Sequence, residues 1–251
     1  METPYSDYYG IAENKATIFT DILNRKGWFI CRPLPNQLLR KCIEVCYKNK
    51  KHIQANGGQV RAPLCNSQTF LELAVHPRFL RIKNLINKDS ILNQQNLLYL
   101  SKNNKRGHED QSRWHRDMPY LKWIPNQLAI FNALLCINKN SQDKVHSLDI
   151  VEGSHSFLEF PFKHLPASQI KSIFLKNGDM LIMNSFLYHR APIQITNDFF
   201  LVNSVLTPRC FKQQVNYQEH LSVQKTSFQN AELCTYLGLN DMFKNPGYLE
   251  E

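Results

Sequence analysis

Apolar and polar positions follow two different periods along this chain, and the change falls near Asn96. Before it the period is helical. Ile18, Phe19, Ile22 and Leu23 recur at helical spacing, and Gly27 ends that run. Trp28 to Cys31 reads as a short strand. Pro35 opens a second helix that carries Leu38, Leu39, Cys42, Ile43 and Cys46 on one side. A third helical stretch is predicted from Gln68 to Asn87, interrupted at Pro77. After Asn96 short apolar runs alternate with polar turns, the texture of strands. The predicted strands are Leu97 to Leu100, Leu128 to Ile137, Ser147 to Val151, Ser172 to Leu175, Met180 to Leu187 and Phe199 to Leu206. Leu128 to Ile137 is nearly all apolar, so it is expected to be buried. A short helix is expected around Ala231 to Leu237. Helices first and strands later predict an α+β domain around a sandwich or barrel. With no internal repeat, low-complexity tract or Gly/Ser linker, residues 1–251 are read as one domain. Its parts are a helical portion (1–94), a β core (95–216) and a tail (217–251).

Composition narrows the class. Apolar residues at 43% and aromatics at 11% describe a globular chain rather than a disordered one. No apolar run approaches the ~20 residues that span a bilayer. Met1 to Tyr5 lacks a basic start followed by an apolar stretch, so a cytoplasmic protein is expected. Seven cysteines without a secretory signal argue against a disulfide framework; they read as core filler, Cys42 and Cys46 on one helix included. The formal charge of +9 favours an anionic partner. Its densest clusters are Lys48, Lys50, Lys51 and His52, then Lys102, Lys105 and Arg106. Neither is a basic stripe interleaved with stacking aromatics, so nucleic acid is disfavoured and a small anionic molecule is preferred.

The candidate chemistry lies in Trp114-His115-Arg116-Asp117. Residues two apart on extended chain share a face, so His115 and Asp117 can reach one ion. His189, delivered at the end of the apolar run that follows Gly178-Asp179, completes two histidines and one carboxylate. That set holds one face of iron(II) and leaves other positions open. His108-Glu109-Asp110 has the same spacing but sits in a highly polar stretch and is read as an exposed loop. If strand alternation holds, Tyr99, Asn132 and Ser204 line the pocket. Gly153-Ser154-His155 is read as a structural turn, and Trp114 and Trp123 as packing or pocket wall. His52, His76, His146, His164 and His220 carry no ligand spacing.

Several stretches appear in order: Trp114 to Tyr120, Gln127 to Ile137, Glu152-Gly153-Ser154-His155, Gly178 to His189, and Lys212-Gln213-Gln214. Over roughly residues 95 to 216 they resemble bacterial members of the phytanoyl-CoA-dioxygenase-like family. The resemblance implies a double-stranded β-helix of the jelly-roll or cupin kind with N-terminal helices. It also implies Fe(II), 2-oxoglutarate as cosubstrate and O2, with His115, Asp117 and His189 as catalytic iron ligands. One position departs from the family. A basic residue, usually arginine, lies about eleven positions after the distal histidine there and holds the far carboxylate of 2-oxoglutarate. The corresponding residue here is Phe200, which cannot pair with a carboxylate. Candidate substitutes are Lys102, ranked first, then Arg113, Arg190 and Arg209. The expected activity is hydroxylation, or a related oxidation, of a small, anionic or carrier-linked metabolite. Two alternatives stand beside it: a metal-binding barrel without 2-oxoglutarate turnover, and a metal-dependent isomerase or hydrolase.

Overall fold

The computed structural model describes residues 16–101, 112–117, 130–140, 142–157, 167–223 and 230–239. The predicted first helix is α1 (Ala16–Arg25), followed by β1 (Trp28–Cys31) and α2 (Asn36–Lys48). Two short elements come next that the pattern did not reveal, α3 (Lys50–Ala55) and β2 (Gln59–Arg61). The break at Pro77 is real. It separates α4 (Gln68–Ala74) from α5 (Pro77–Asn87), and the His76 ring caps α5 by accepting from the Arg78 N–H at 3.3 Å.

The strands are β3 (Ser90–Leu100), β4 (Phe131–Ile137), β5 (Val145–Val151), β6 (Ile170–Leu175), β7 (Met180–Asn184), β8 (His189–Arg190) and β9 (Phe199–Pro208). The described residues pair into two antiparallel sheets, in the orders β1-β7-β4-β9-β3-β2 and β6-β5-β8. β1 and β2 extend the larger sheet at its two edges, so the helical portion of the chain also contributes strands. β3 begins at Ser90 rather than Leu97 because its first half is a run of amides, Asn93 to Asn96, which hides strand character. The pairing of β3 with β9 shifts register between Leu92 and Gln94, a bulge at Asn93. Lys212-Gln213-Gln214 closes that bulge. The Asn93 amide donates to the Lys212 carbonyl at 3.0 Å, and Gln213 donates to the Leu92 carbonyl at 2.6 Å.

Alternation along the larger sheet decides what the centre can use. Leu135, Ile182, Val202 and Phe200 point to the helices and pack with Leu38, Phe70 and Phe79. Leu134, Leu181, Met183 and Leu201 point the other way, against Leu148, Ile150 and Ile173 of the smaller sheet. This is a double-stranded β-helix with helices covering one outer face, as the resemblance implied. The buried cysteines are free thiols among these apolar residues, and burial pushes the Cys42 thiol up to about 12. No helix among the described residues is long and apolar enough to cross a membrane.

Candidate metal centre

His115 and His189 face each other across an isolated antiparallel bridge, in which each backbone N–H donates to the other's carbonyl at 3.0 Å. The extended stretch expected at His115 is thus a single bridge rather than a full strand. Arg116 turns away. Its guanidinium lies 4.0 Å above the Tyr188 ring and donates to the carbonyls of Ser154 and Phe157, at 2.8 and 2.6 Å. With Arg116 clamped to that turn, His115 and Asp117 share the opposite side. Asp117 Oδ1 lies 4.0 Å from His115 Nε2 and 3.7 Å from His189 Nε2. One donor atom from each of the three residues falls within 4.8 Å of the others.

The ring orientations follow from hydrogen bonding. His115 Nδ1 lies 2.8 Å from the Arg113 carbonyl and His189 Nδ1 lies 3.0 Å from the Leu187 carbonyl. A carbonyl only accepts, so each Nδ1 carries the proton and each Nε2 offers a lone pair toward Asp117. Burial pushes the His189 pKa below the ordinary histidine value, although the Asp117 carboxylate pulls it back up. His189 is therefore a neutral donor at neutral pH, the form a metal requires. Two imidazoles and one carboxylate on one side of a point suit iron(II) or a similar first-row divalent ion.

Asn132 holds the carboxylate. Its amide donates to Asp117 Oδ2, and its own Oδ1 accepts from the Ser185 hydroxyl at 3.0 Å. The hydroxyl fixes which way the amide points, and the amide leaves Asp117 Oδ1 as the free oxygen facing both histidines. Supporting partners of this kind are worth about 10–100-fold in metal affinity. Asn132→Leu is accordingly expected to raise the iron(II) Kd about tenfold while the far-ultraviolet circular dichroism stays that of the parent.

Asp117, Asn132 and His189 open onto a cavity of about 390 Å³, within the range of small-molecule sites. Its walls are mixed: Leu134, Met183 and Leu201 beside Gln94, Asn96 and Asn203.

Of the other residues expected at the site, Asn132 and Tyr99 line the cavity and Ser204 is corrected. The Tyr99 ring is turned toward the helices, where it stacks on Phe200 with centroids 4.9 Å apart and donates its hydroxyl to Asp198 at 2.8 Å. Ser204 lies on that same face, 3.5 Å from the buried Gln95 amide. The outward Tyr99 ring and the misplaced Ser204 have one cause. Phe200, taken as the inward position of the last strand, faces outward, and a phase error of one residue transfers Ser204 and its cross-strand neighbours to the wrong side. Leu201 is an inward neighbour of Phe200, and it is apolar. Lys102 lies outside the described residues, as do His108 to Asp110, Trp123 and His164.

The remaining basic candidates are exposed or paired with carboxylates. Arg113 is exposed. Arg190 borders the cavity, but its guanidinium is bound to Asp149 at 3.1 Å and stacked 4.5 Å from the Trp114 ring. Arg209 lies 3.6 Å from Asp89 on the surface. His155 is structural, as read: it is buried, and its Nε2 hydrogen-bonds to the Asn24 carbonyl at 2.8 Å. Gln94, Asn96 and Asn203 were missed as cavity residues. Their only sequence signal is an amide within a strand, Asn203 in a mostly apolar one and Gln94 and Asn96 in a run of amides.

No family model matches this chain, and no curated protein sequence matches it. Solved structures do. The chain is similar to the non-heme alpha-ketoglutarate-dependent epimerase SnoN from nogalamycin biosynthesis. The identity is 14%, 82% of this chain and 87% of that chain are covered, and the TM-score is 0.59. It is also similar to HygX from Streptomyces hygroscopicus with nickel and 2-oxoglutarate bound, at 14% identity, 81% and 90% coverage and TM-score 0.57. The alpha-ketoglutarate-dependent carbocyclase SnoK matches at 15% identity, 88% and 93% coverage and TM-score 0.57. The chain shares the fold of these proteins.

Proposed function

We propose that this protein is an iron(II)- and 2-oxoglutarate-dependent oxygenase of the phytanoyl-CoA-dioxygenase-like kind, a single domain acting in the cytoplasm on a small molecule. The observation that carries the reading is the trio of His115, Asp117 and His189, each with one donor atom free and the rest of its polar groups committed. Neighbours of the same fold that bind 2-oxoglutarate support it. When bound, iron(II) with 2-oxoglutarate and oxygen supplies the oxidising power for attack on a C–H bond.

The chain's own residues do the rest. His115, Asp117 and His189 hold one side of the ion and leave the cavity side open. Asn132 and Ser185 keep the carboxylate aimed at the two imidazoles. Leu134, Met183 and Leu201 limit water beside the metal. The reaction is hydroxylation or a related oxidation, and the excess of 30 basic over 21 acidic residues favours an anionic or carrier-linked substrate.

The test is an anaerobic titration of the iron(II)-loaded protein with 2-oxoglutarate, followed by the visible metal-to-ligand charge-transfer band. Saturable growth of the band is expected. A second reading, a metal-binding barrel without 2-oxoglutarate turnover, is favoured by the apolar Leu201 beside Phe200 on the last strand. Bound iron with no band at any 2-oxoglutarate concentration would establish it in place of the first.

A further inference from the structure

The cavity face of the larger sheet carries a line of polar side chains that the metal centre does not use. Val60 of β2 packs toward the helices, so its neighbours Gln59 and Arg61 belong to the cavity face, and Gln59 lines the cavity. Arg61 is in register with Asn96, Asn96 with Asn203, and Asn203 with Leu134. Register partners share a face, so Arg61, Asn96 and Asn203 run in one line across three strands. Asn96 and Asn203 line the same cavity as Asp117 and His189, and Arg61 stands exposed at the sheet edge beside them.

Of these amides, Asn203 is poorly provided for by the protein itself. Asn96 is 8% exposed, and Asn203 Oδ1 is buried without a hydrogen-bond partner among the described residues. Leaving a buried polar atom unpaired is costly, and a wall that also contains Leu134 and Leu201 has no packing need for two amides. Rotation of an amide about its last bond exchanges oxygen and NH2, so each can present a donor to an anion.

The spacing also suits a small dicarboxylate. Asn132, which holds Asp117, precedes Leu134 by two residues on β4, and Leu134 is the register partner of Asn203. Two residues along and one strand across is roughly 8 Å between backbone positions. The ends of an extended five-carbon dicarboxylate lie roughly 5 Å apart, from four C–C bonds. Hydrogen bonds near 2.9 Å close the difference.

We propose that Asn96 and Asn203, with Arg61 at the sheet edge, form the carboxylate-binding end of the cavity and receive the far carboxylate of 2-oxoglutarate. The inference rests on the function proposed above. The asparagines donate neutral hydrogen bonds, and Arg61 brings the charge that the cavity face of β9 lacks, from the edge strand instead of the last strand.

The experiment titrates the oxygen-free, iron(II)-loaded full chain with two acids, read by the charge-transfer band. One is 2-oxoglutarate. The other is 2-oxovalerate, which keeps the chelating end and the chain length but ends in a methyl group. The parent protein is expected to prefer 2-oxoglutarate by about tenfold or more, the scale of a charge-assisted hydrogen bond. Arg61→Gln and Asn203→Leu are each expected to cut that preference several-fold. The double variant loses it, and 2-oxovalerate affinity stays unchanged throughout. Arg61 is exposed, so its variant separates loss of the carboxylate contact from loss of folding. Persistence of the preference in the double variant overturns the proposal, as does its removal by Lys102→Ala alone. Equal affinity for both acids in the parent also overturns it and leaves the proposed function standing. Absence of the band with either acid overturns both.

Discussion

His189→Ala, Asp117→Ala and His115→Ala are each expected to yield a folded protein that no longer retains iron(II) through gel filtration. The reason is geometric. Only one donor atom per residue converges, within 4.8 Å of the others, and no fourth histidine, cysteine or carboxylate joins the group among the described residues. Losing one of three ligands must exceed the 10–100-fold effect of losing a supporting partner, so the Kd for iron(II) is expected to rise by well over about a hundredfold. Stability falls less. His189 makes one hydrogen bond through Nδ1, to the Leu187 carbonyl, and such a bond contributes roughly 1 kcal/mol net. The measurement pairs iron content per chain with thermal unfolding of the metal-free protein. Stoichiometric iron in any of the three variants would place the metal elsewhere.

Gly27→Ala acts on the fold and reaches the centre only through it. Gly27 sits at φ +86° between α1 and β1, and a Cβ there would lie 2.5 Å from Leu187 Cδ1 and 2.8 Å from His155 Nδ1. The left-handed backbone costs a residue with a side chain about 1–2 kcal/mol, and overpacking a full interior adds about 1–3 kcal/mol. A loss of about 3 kcal/mol is expected, lowering Tm by roughly 6–12 °C for a chain of this size. Gly57 provides the comparison. It is also left-handed, at φ +76°, but a Cβ there meets nothing within 4 Å, so Gly57→Ala should cost only the backbone share. Because the Leu187 carbonyl orients His189, Gly27→Ala is also expected to weaken iron(II) binding, whereas Gly57→Ala should not. Equal destabilisation by the two substitutions would show that the packing at the α1–β1 corner is looser than the geometry implies.

The two halves of this protein differ in how much of them could be read in advance. Helical spacing in Ile18 to Leu23 and in Leu38 to Cys46 gave the first two helices, because a face buried against one core repeats every three or four residues. Pro77 broke the third, as a ring without an N–H must. Strands rich in Leu, Ile and Val were legible at β4 to β7 and at β9, whereas the two-residue β8 was not. β2 was too short to show a pattern, and the amides of β3 concealed half of it. Gln94 and Asn96 face the cavity and Asn93 lies at the bulge closed from Lys212 to Gln214, and a linear pattern cannot register either use.

The chain alone pointed to the three candidate metal ligands, since His115 and Asp117 are close in sequence and His189 ends a conspicuous apolar run. Only the tertiary structure decided which residues share their cavity. Inside or outside on a strand is a matter of phase, one residue reverses it, and the phase of β9 depends on how the loop from Ala191 to Asp198 is spanned. That phase put Phe200, Tyr99 and Ser204 against the helices, and it brought Arg61, Asn96 and Asn203, distant in sequence, into one line beside the metal centre.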